Sequence, residues 1–127
     1  MGMDKSGDFY FENFPWTKVP GWTVRSGYPN TVITSDGIVV SGSGAVTIRF
    51  RVIRVSSTGL SDIPTRIMVN GVVLGAVEYF DNDTTEKTRN TTLNNGDVIT
   101  MEVEDTGSSI DTYNTLTTGT YLIVEPV

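Results

Sequence analysis

The chain has 127 residues, a net charge of −6 and a pI near 4.4, with no cysteine and no histidine. That composition excludes disulfide frameworks, thiolate nucleophiles, Ser-His-Asp and Cys-His catalysis, and the usual zinc, copper and iron sites. The length suits one domain, and the negative charge is the wrong sign for nucleic acid. The charge is unevenly spread: residues 1–69 hold seven Lys and Arg against five Asp and Glu, and residues 70–127 hold two against ten. The two halves could meet on adjacent sheets or across a subunit contact.

The opening "MGMDKSGDFY" lacks the basic and apolar regions of a secretory signal, and no stretch reaches the length of a membrane span. The expectation is a soluble, unprocessed protein without membrane insertion. Next comes "FYFENFPWTKVPGW", which places Phe9, Tyr10, Phe11, Phe14, Trp16 and Trp22 within fourteen residues. Large rings near a chain end need something to pack against. One reading makes Phe9–Phe14 the first strand and lets Trp16–Trp22 seal an open end of the fold. The other offers part of this arm to a second chain, because aromatics are the usual anchors of interfaces. The division is thus residues 1–20, arm and first strand, and residues 21–127, one β-domain, with a single domain overall.

No window shows helical spacing, and Thr, Val, Ile, Gly and Asn dominate, so the class is all-β. "TVITSDGIVVSG" sets Ser-Asp-Gly between two apolar runs. "AVTIRFRV" follows as the clearest strand, with Val46, Ile48, Phe50 and Val52 on one face and Thr47, Arg49 and Arg51 on the other. The switch of parity at Val52-Ile53 predicts a β-bulge or a strand that passes from one sheet to another. Arg49, Arg51 and Arg54 form a basic stripe, with Arg54 on the other face unless a bulge realigns it, expected to stand on an exposed sheet face, to pair with Glu102 and Glu104 on a neighbouring strand, or to meet a partner.

"RIMVNGVVLGAV" holds Asn70-Gly71, the strongest short hairpin signal. "NNGDVITMEVEDTG" begins with a turn and continues with Ile99, Met101 and Val103 on one side and Thr100, Glu102 and Glu104 on the other. "GTYLIVEPV" is a final apolar strand. Short strands at this spacing predict an antiparallel β-sandwich of jelly-roll type.

The loops at 55–62, 79–90 and 105–119 are polar but keep apolar residues. Tyr79, Asp81, Asp83 and Tyr113 are candidate contact residues there. Paired carboxylates such as Asp81, Asp83, Glu86, Asp105 and Asp111 could in principle cleave glycosides, yet no catalytic signature surrounds them and no enzyme is expected. "DNDTTE" (81–86) offers oxygen ligands to calcium but fails the EF-hand pattern. A solvated loop is the better reading, and no cofactor or metal is assigned. Asn82 and Asn90 begin glycosylation sequons that chance accounts for.

From the Asn70-Gly71 hairpin through Leu93-"NNGDVITMEV" to "TGTYLIVE", the order of elements resembles the tumour necrosis factor and complement globular-head jelly-roll superfamily, over residues 66–125. The longer stretch "KVPGWTVRSGYPNTVITSDGIVVSGSGAVTIRFRV" and the closing Gly-Thr-Tyr-Leu resemble small domains of minor tail and other virion surface proteins of phages that infect actinobacteria, over residues 18–125. That resemblance implies a non-enzymatic virion structural protein, a homotrimer made in the bacterial cytoplasm and placed on the particle as a capsid decoration or minor tail protein. Its partners would be itself and phage capsid or tail proteins. The alternative is a jelly-roll module that recognises a host-surface glycan or receptor.

Overall fold

The strand read from "AVTIRFRV" sets the architecture. In β7 (Gly44–Arg51) Val46, Ile48 and Phe50 are buried while Thr47, Arg49 and Arg51 stand on the opposite face, so one side of a sheet packs inward. The computed structural model describes residues 1–11, 15–55, 62–81, 85–105 and 114–127. Among these, β7 is joined by β10 (Lys87–Leu93), β13 (Tyr121–Pro126), β1 (Gly2–Lys5) and β4 (Trp22–Val24) in a sheet of order β10-β7-β13-β1-β4.

The second sheet runs β5 (Val32–Thr34), β6 (Gly37–Val39), β11 (Val98–Val103), β8 (Ile63–Val69), β9 (Val72–Phe80), with β3 (Thr17–Lys18) continuing along the same side of β11 as β6. β2 (Phe9–Phe11) and β12 (Asn114–Leu116) form a separate two-stranded ribbon. Every pairing is antiparallel.

The chain alternates between the two main sheets. β1, β7, β10 and β13 belong to one and β6, β8, β9 and β11 to the other, with the last strand lying between the first and β7. This is the eight-strand double-sheet jelly roll, as expected. Met3, Ile48, Phe50, Leu93 and Leu122 from the first sheet meet Ile38, Ile63, Ile67, Phe80, Ile99 and Met101 from the second. Phe50 and Phe80 bring their rings to 5.8 Å at 59° across the sandwich.

Turn chemistry explains the registers. Asn70 and Gly71 take φ of 50° and 79°, and Ser35 and Asp36 take 50° and 62°, so both hairpins close with two left-handed residues. The phase switch after Val52 is a change of sheet environment, one of the two outcomes expected. β7 ends at Arg51, and the chain then bridges Arg54 to Leu116 beside the β2–β12 ribbon. An actual register shift lies elsewhere, between Thr65 and Ile67 opposite β9.

Two expectations are corrected. The first strand is Gly2–Lys5, not Phe9–Phe14, because its backbone fills the slot beside β13 while Phe9–Phe11 pairs with β12. Arg49 and Arg51 do not pair with Glu102 and Glu104, since the neighbours of β7 are β10 and β13. Arg49 reaches Glu86 at 3.7 Å and Glu125 at 3.4 Å, and Glu102 belongs to Arg66. The basic first half and acidic second half therefore meet inside the molecule at these pairs.

Candidate functional site

The aromatic arm divides among several environments. Phe11 is buried in the core and Phe9 stacks on it, with centroids 5.7 Å apart. Tyr10 points the other way and is 53% exposed. Trp22, in β4, donates its indole N–H to the Val19 carbonyl at 2.7 Å. Trp16 comes to rest near the outer face of the second sheet, with the Arg66 guanidinium carbon 4.3 Å from its ring centre. Tyr79 and Asp81 are exposed near the end of β9. Phe14, Asp83 and Tyr113 lie outside the described residues, as do residues 82–84 of the calcium expectation.

Trp16 marks one end of a cross-strand row. Arg66 on β8 faces Glu102 on β11, which faces Lys18 on β3, so cation, anion and cation lie side by side across three strands. Arg66 holds the Glu102 carboxylate through Nε at 2.8 Å and Nη2 at 2.6 Å. Lys18 is exposed and donates to the Ser35 carbonyl at 3.1 Å.

Below this row the sheet is hollow. Met68 faces Thr100 across β8 and β11, and Gly37 adjoins Thr100 from β6. A Cβ on Gly37 would stand 2.7 Å from Val98 Cγ1, 2.8 Å from Thr100 Cγ2 and 3.0 Å from the Ile99 carbonyl. The missing side chain lets β6 lie close against β11. A depression of about 390 Å³ lies on this face, with Met68, Val98 and Thr100 in its floor and Lys18, Glu102 and the Asn70-Gly71 turn around it.

The turn at the far rim is firmly held. The Asn70 side chain accepts from the Val98 N–H at 2.9 Å and donates to Asp97 at 2.8 Å. The other Asp97 oxygen accepts from the Asn94 N–H at 2.8 Å. Those bonds, the backbone N–H of Asn94 first and the Asn70 amide second, hold the Asp97 carboxyl below its ordinary value.

The outer face of the first sheet carries a different arrangement. Tyr28 reaches over Gly2 to hydrogen-bond Glu125, Glu125 and Glu86 flank Arg49, and Tyr121 donates to Glu86 at 2.7 Å. Arg25 pairs with Asp4 and lies 4.6 Å from the Tyr121 ring centre. A Cβ on Gly2 would meet Tyr28 Cδ2 at 3.0 Å, so the bare glycine makes room for that ring. The acids here already hold partners, and Ile123 is buried on the same face, as befits a covering layer. The hollow on the second sheet is lined by Lys18, Thr100 and Glu102 beside apolar Met68 and Val98.

Sequence parity put Thr100 and Glu102 on one face, but it did not bring Lys18, Arg66, Met68 and Gly37 to them. Those come from long-range register, and the only local signal was the polar parity of "VITMEV".

No protein-family model matches the chain. No curated protein matches it in sequence. Among solved structures the chain is similar to a native family 35 carbohydrate binding module from Clostridium thermocellum, at 17% identity and a TM-score of 0.48, covering 100% of this chain and 99% of that one. The jelly-roll topology stated above rests on this chain's own strand order.

Proposed function

We propose that this jelly roll is a non-catalytic binding module that takes a carbohydrate unit in the depression on its second sheet. The observation that carries the reading is the amphipathic floor beside Trp16. A sugar ring has an apolar C–H face and a rim of hydroxyls. Met68 and Val98 suit the first, while the Thr100 hydroxyl, the Lys18 ammonium and the Glu102 carboxylate suit the second. The volume is within the usual span of small-ligand sites, roughly 300–1,000 Å³. Glu102 is the one carboxylate lining the hollow, and it is tied to Arg66, whereas glycoside hydrolysis needs two across the bond.

The test is titration of the protein with cell-wall and capsular glycan fragments, followed by amide chemical shifts. Binding is expected to perturb Lys18, Met68, Val98 and Thr100, and to be lost in Lys18→Ala and Thr100→Val. Glycan binding that ignores both substitutions, or no binding across the panel, would sink the reading.

A second reading keeps the virion-surface trimer, and the exposed ring of Tyr10 on the β2–β12 ribbon favours it. A trimer in light scattering that Tyr10→Lys dissociates would support it. A monomer at every concentration would remove self-assembly from it.

A further inference from the structure

Strand β9 is the open edge of the second sheet, nine residues long. Val72 is 70% exposed, Val73 41% and Tyr79 57%. A long apolar edge is a template on which another strand can add. The middle of this edge is built differently. The register shifts between Thr65 and Ile67, so that residues 75–77 of β9 stand opposite Arg66 alone, and Gly75 takes a φ of 72°. Arg89 of β10, in the other sheet, lies over this point. Its Nη2 donates to the Ala76 carbonyl at 2.7 Å and pairs with Glu78 at 2.6 Å. A Cβ on Gly75 would come within 2.8 Å of Arg89 Nε, so the glycine is what lets the guanidinium lie down there.

We infer that Arg89 guards β9 against pairing with the β9 of a second copy of the chain. The strand is self-complementary about Ala76. In an antiparallel pair centred there, Val73 faces Tyr79, so this exposed valine and tyrosine of each copy would cover one another, while Val72 faces the already buried Phe80 and Leu74 faces Glu78. The two-fold axis of that pair runs through the spot where each copy holds its Arg89. Pairing would bring two guanidiniums together and would require breaking the bond to the Ala76 carbonyl. Arg89 shares its parity on β10 with buried Leu93, and a charge turned inward at an edge is a known protection against strand addition.

The experiment is solution mass by light scattering over a concentration series for the full chain, Arg89→Ala, Glu78→Gln, Val73→Lys and Arg89→Ala with Val73→Lys. Arg89→Ala is expected to shift reversibly to twice the wild-type mass as concentration rises, and Val73→Lys on that background to restore the wild-type mass. Glu78→Gln removes the anchor but leaves the guanidinium, so it shifts the mass in the same direction at higher concentration. A wild-type chain whose mass Val73→Lys lowers would overturn the proposal, because β9 would already be paired. Glu78→Gln and Arg89→Ala both at wild-type mass, or Glu78→Gln at wild-type mass with Arg89→Ala unfolded, would overturn it as well.

Discussion

Trp16 and Arg66 are fifty residues apart in sequence, and the guanidinium carbon lies 4.3 Å from the centre of the indole ring. The same guanidinium binds Glu102, so the ring from the opening arm and the acid at the rim of the hollow are fixed by one side chain. Replacing Arg66 by Ala is expected to destabilise the fold by roughly 1 kcal/mol, through the lost ion pair and ring contact. Glycan binding should weaken with it, while Arg66→Lys restores charge but not the planar stack. Thermal melts and the titration read the two effects separately.

Gly37→Ala tests how closely β6 must lie against the strand that floors the hollow. The new methyl group would press on Val98, Thr100 and the Ile99 carbonyl at once, and overpacking of this kind costs about 1–3 kcal/mol. The substitution should lower the melting temperature and move the amide shifts of Val98 and Thr100 before any ligand is added. Unchanged shifts would mean that β6 yields without disturbing the floor.

Acid should loosen the far rim. The Asp97 carboxyl is held below its ordinary value in the folded chain, so its stabilising effect is complete above the unfolded-state value and fades as pH falls through the folded one. Melting temperature is expected to fall on strong acidification in the wild type. Asp97→Asn should start lower at neutral pH and show a shallower acid decline. Parallel curves for the two proteins would locate the acid sensitivity elsewhere.

The core prediction is the largest in magnitude. Phe50 is buried and meets Phe80 between the sheets, so Phe50→Ala should destabilise by roughly 3–5 kcal/mol. Urea unfolding followed by tryptophan fluorescence measures it, and a loss below about 1 kcal/mol would mean that the sandwich closes over the gap.

Local chemistry made much of the fold legible before any coordinates. The alternation in β7 and the Asn70-Gly71 and Ser35-Asp36 turns are written in neighbouring residues, and those features predicted strands, hairpins and the sandwich. β1 was not legible, because "GMDK" is too short and polar to announce a strand, and its place is set by Met3 in the core and by pairing with β4 and with β13, more than a hundred residues away. The partner of Glu102 was missed for a related reason. Facing parity is local, but which strand lies alongside is decided by topology, and Glu102 of β11 has β8 and β3 beside it rather than β7.

That placement of β13 bears on the order in which the molecule can be made. The final strand sits between β7 and β1, and the Met1 ammonium group donates to the Val124 carbonyl at 2.7 Å. During synthesis β1 can pair with β4 as soon as residues 22–24 are made, but the edges of β1 and β7 that face each other stay open until β13 lies between them. Long-range closure of this sort slows folding toward the millisecond-to-second range of β-sandwiches, roughly. Until β13 inserts, the β7 edge opposite β10 is left without a strand, and an unpaired edge of this kind makes a partly folded chain prone to aggregation.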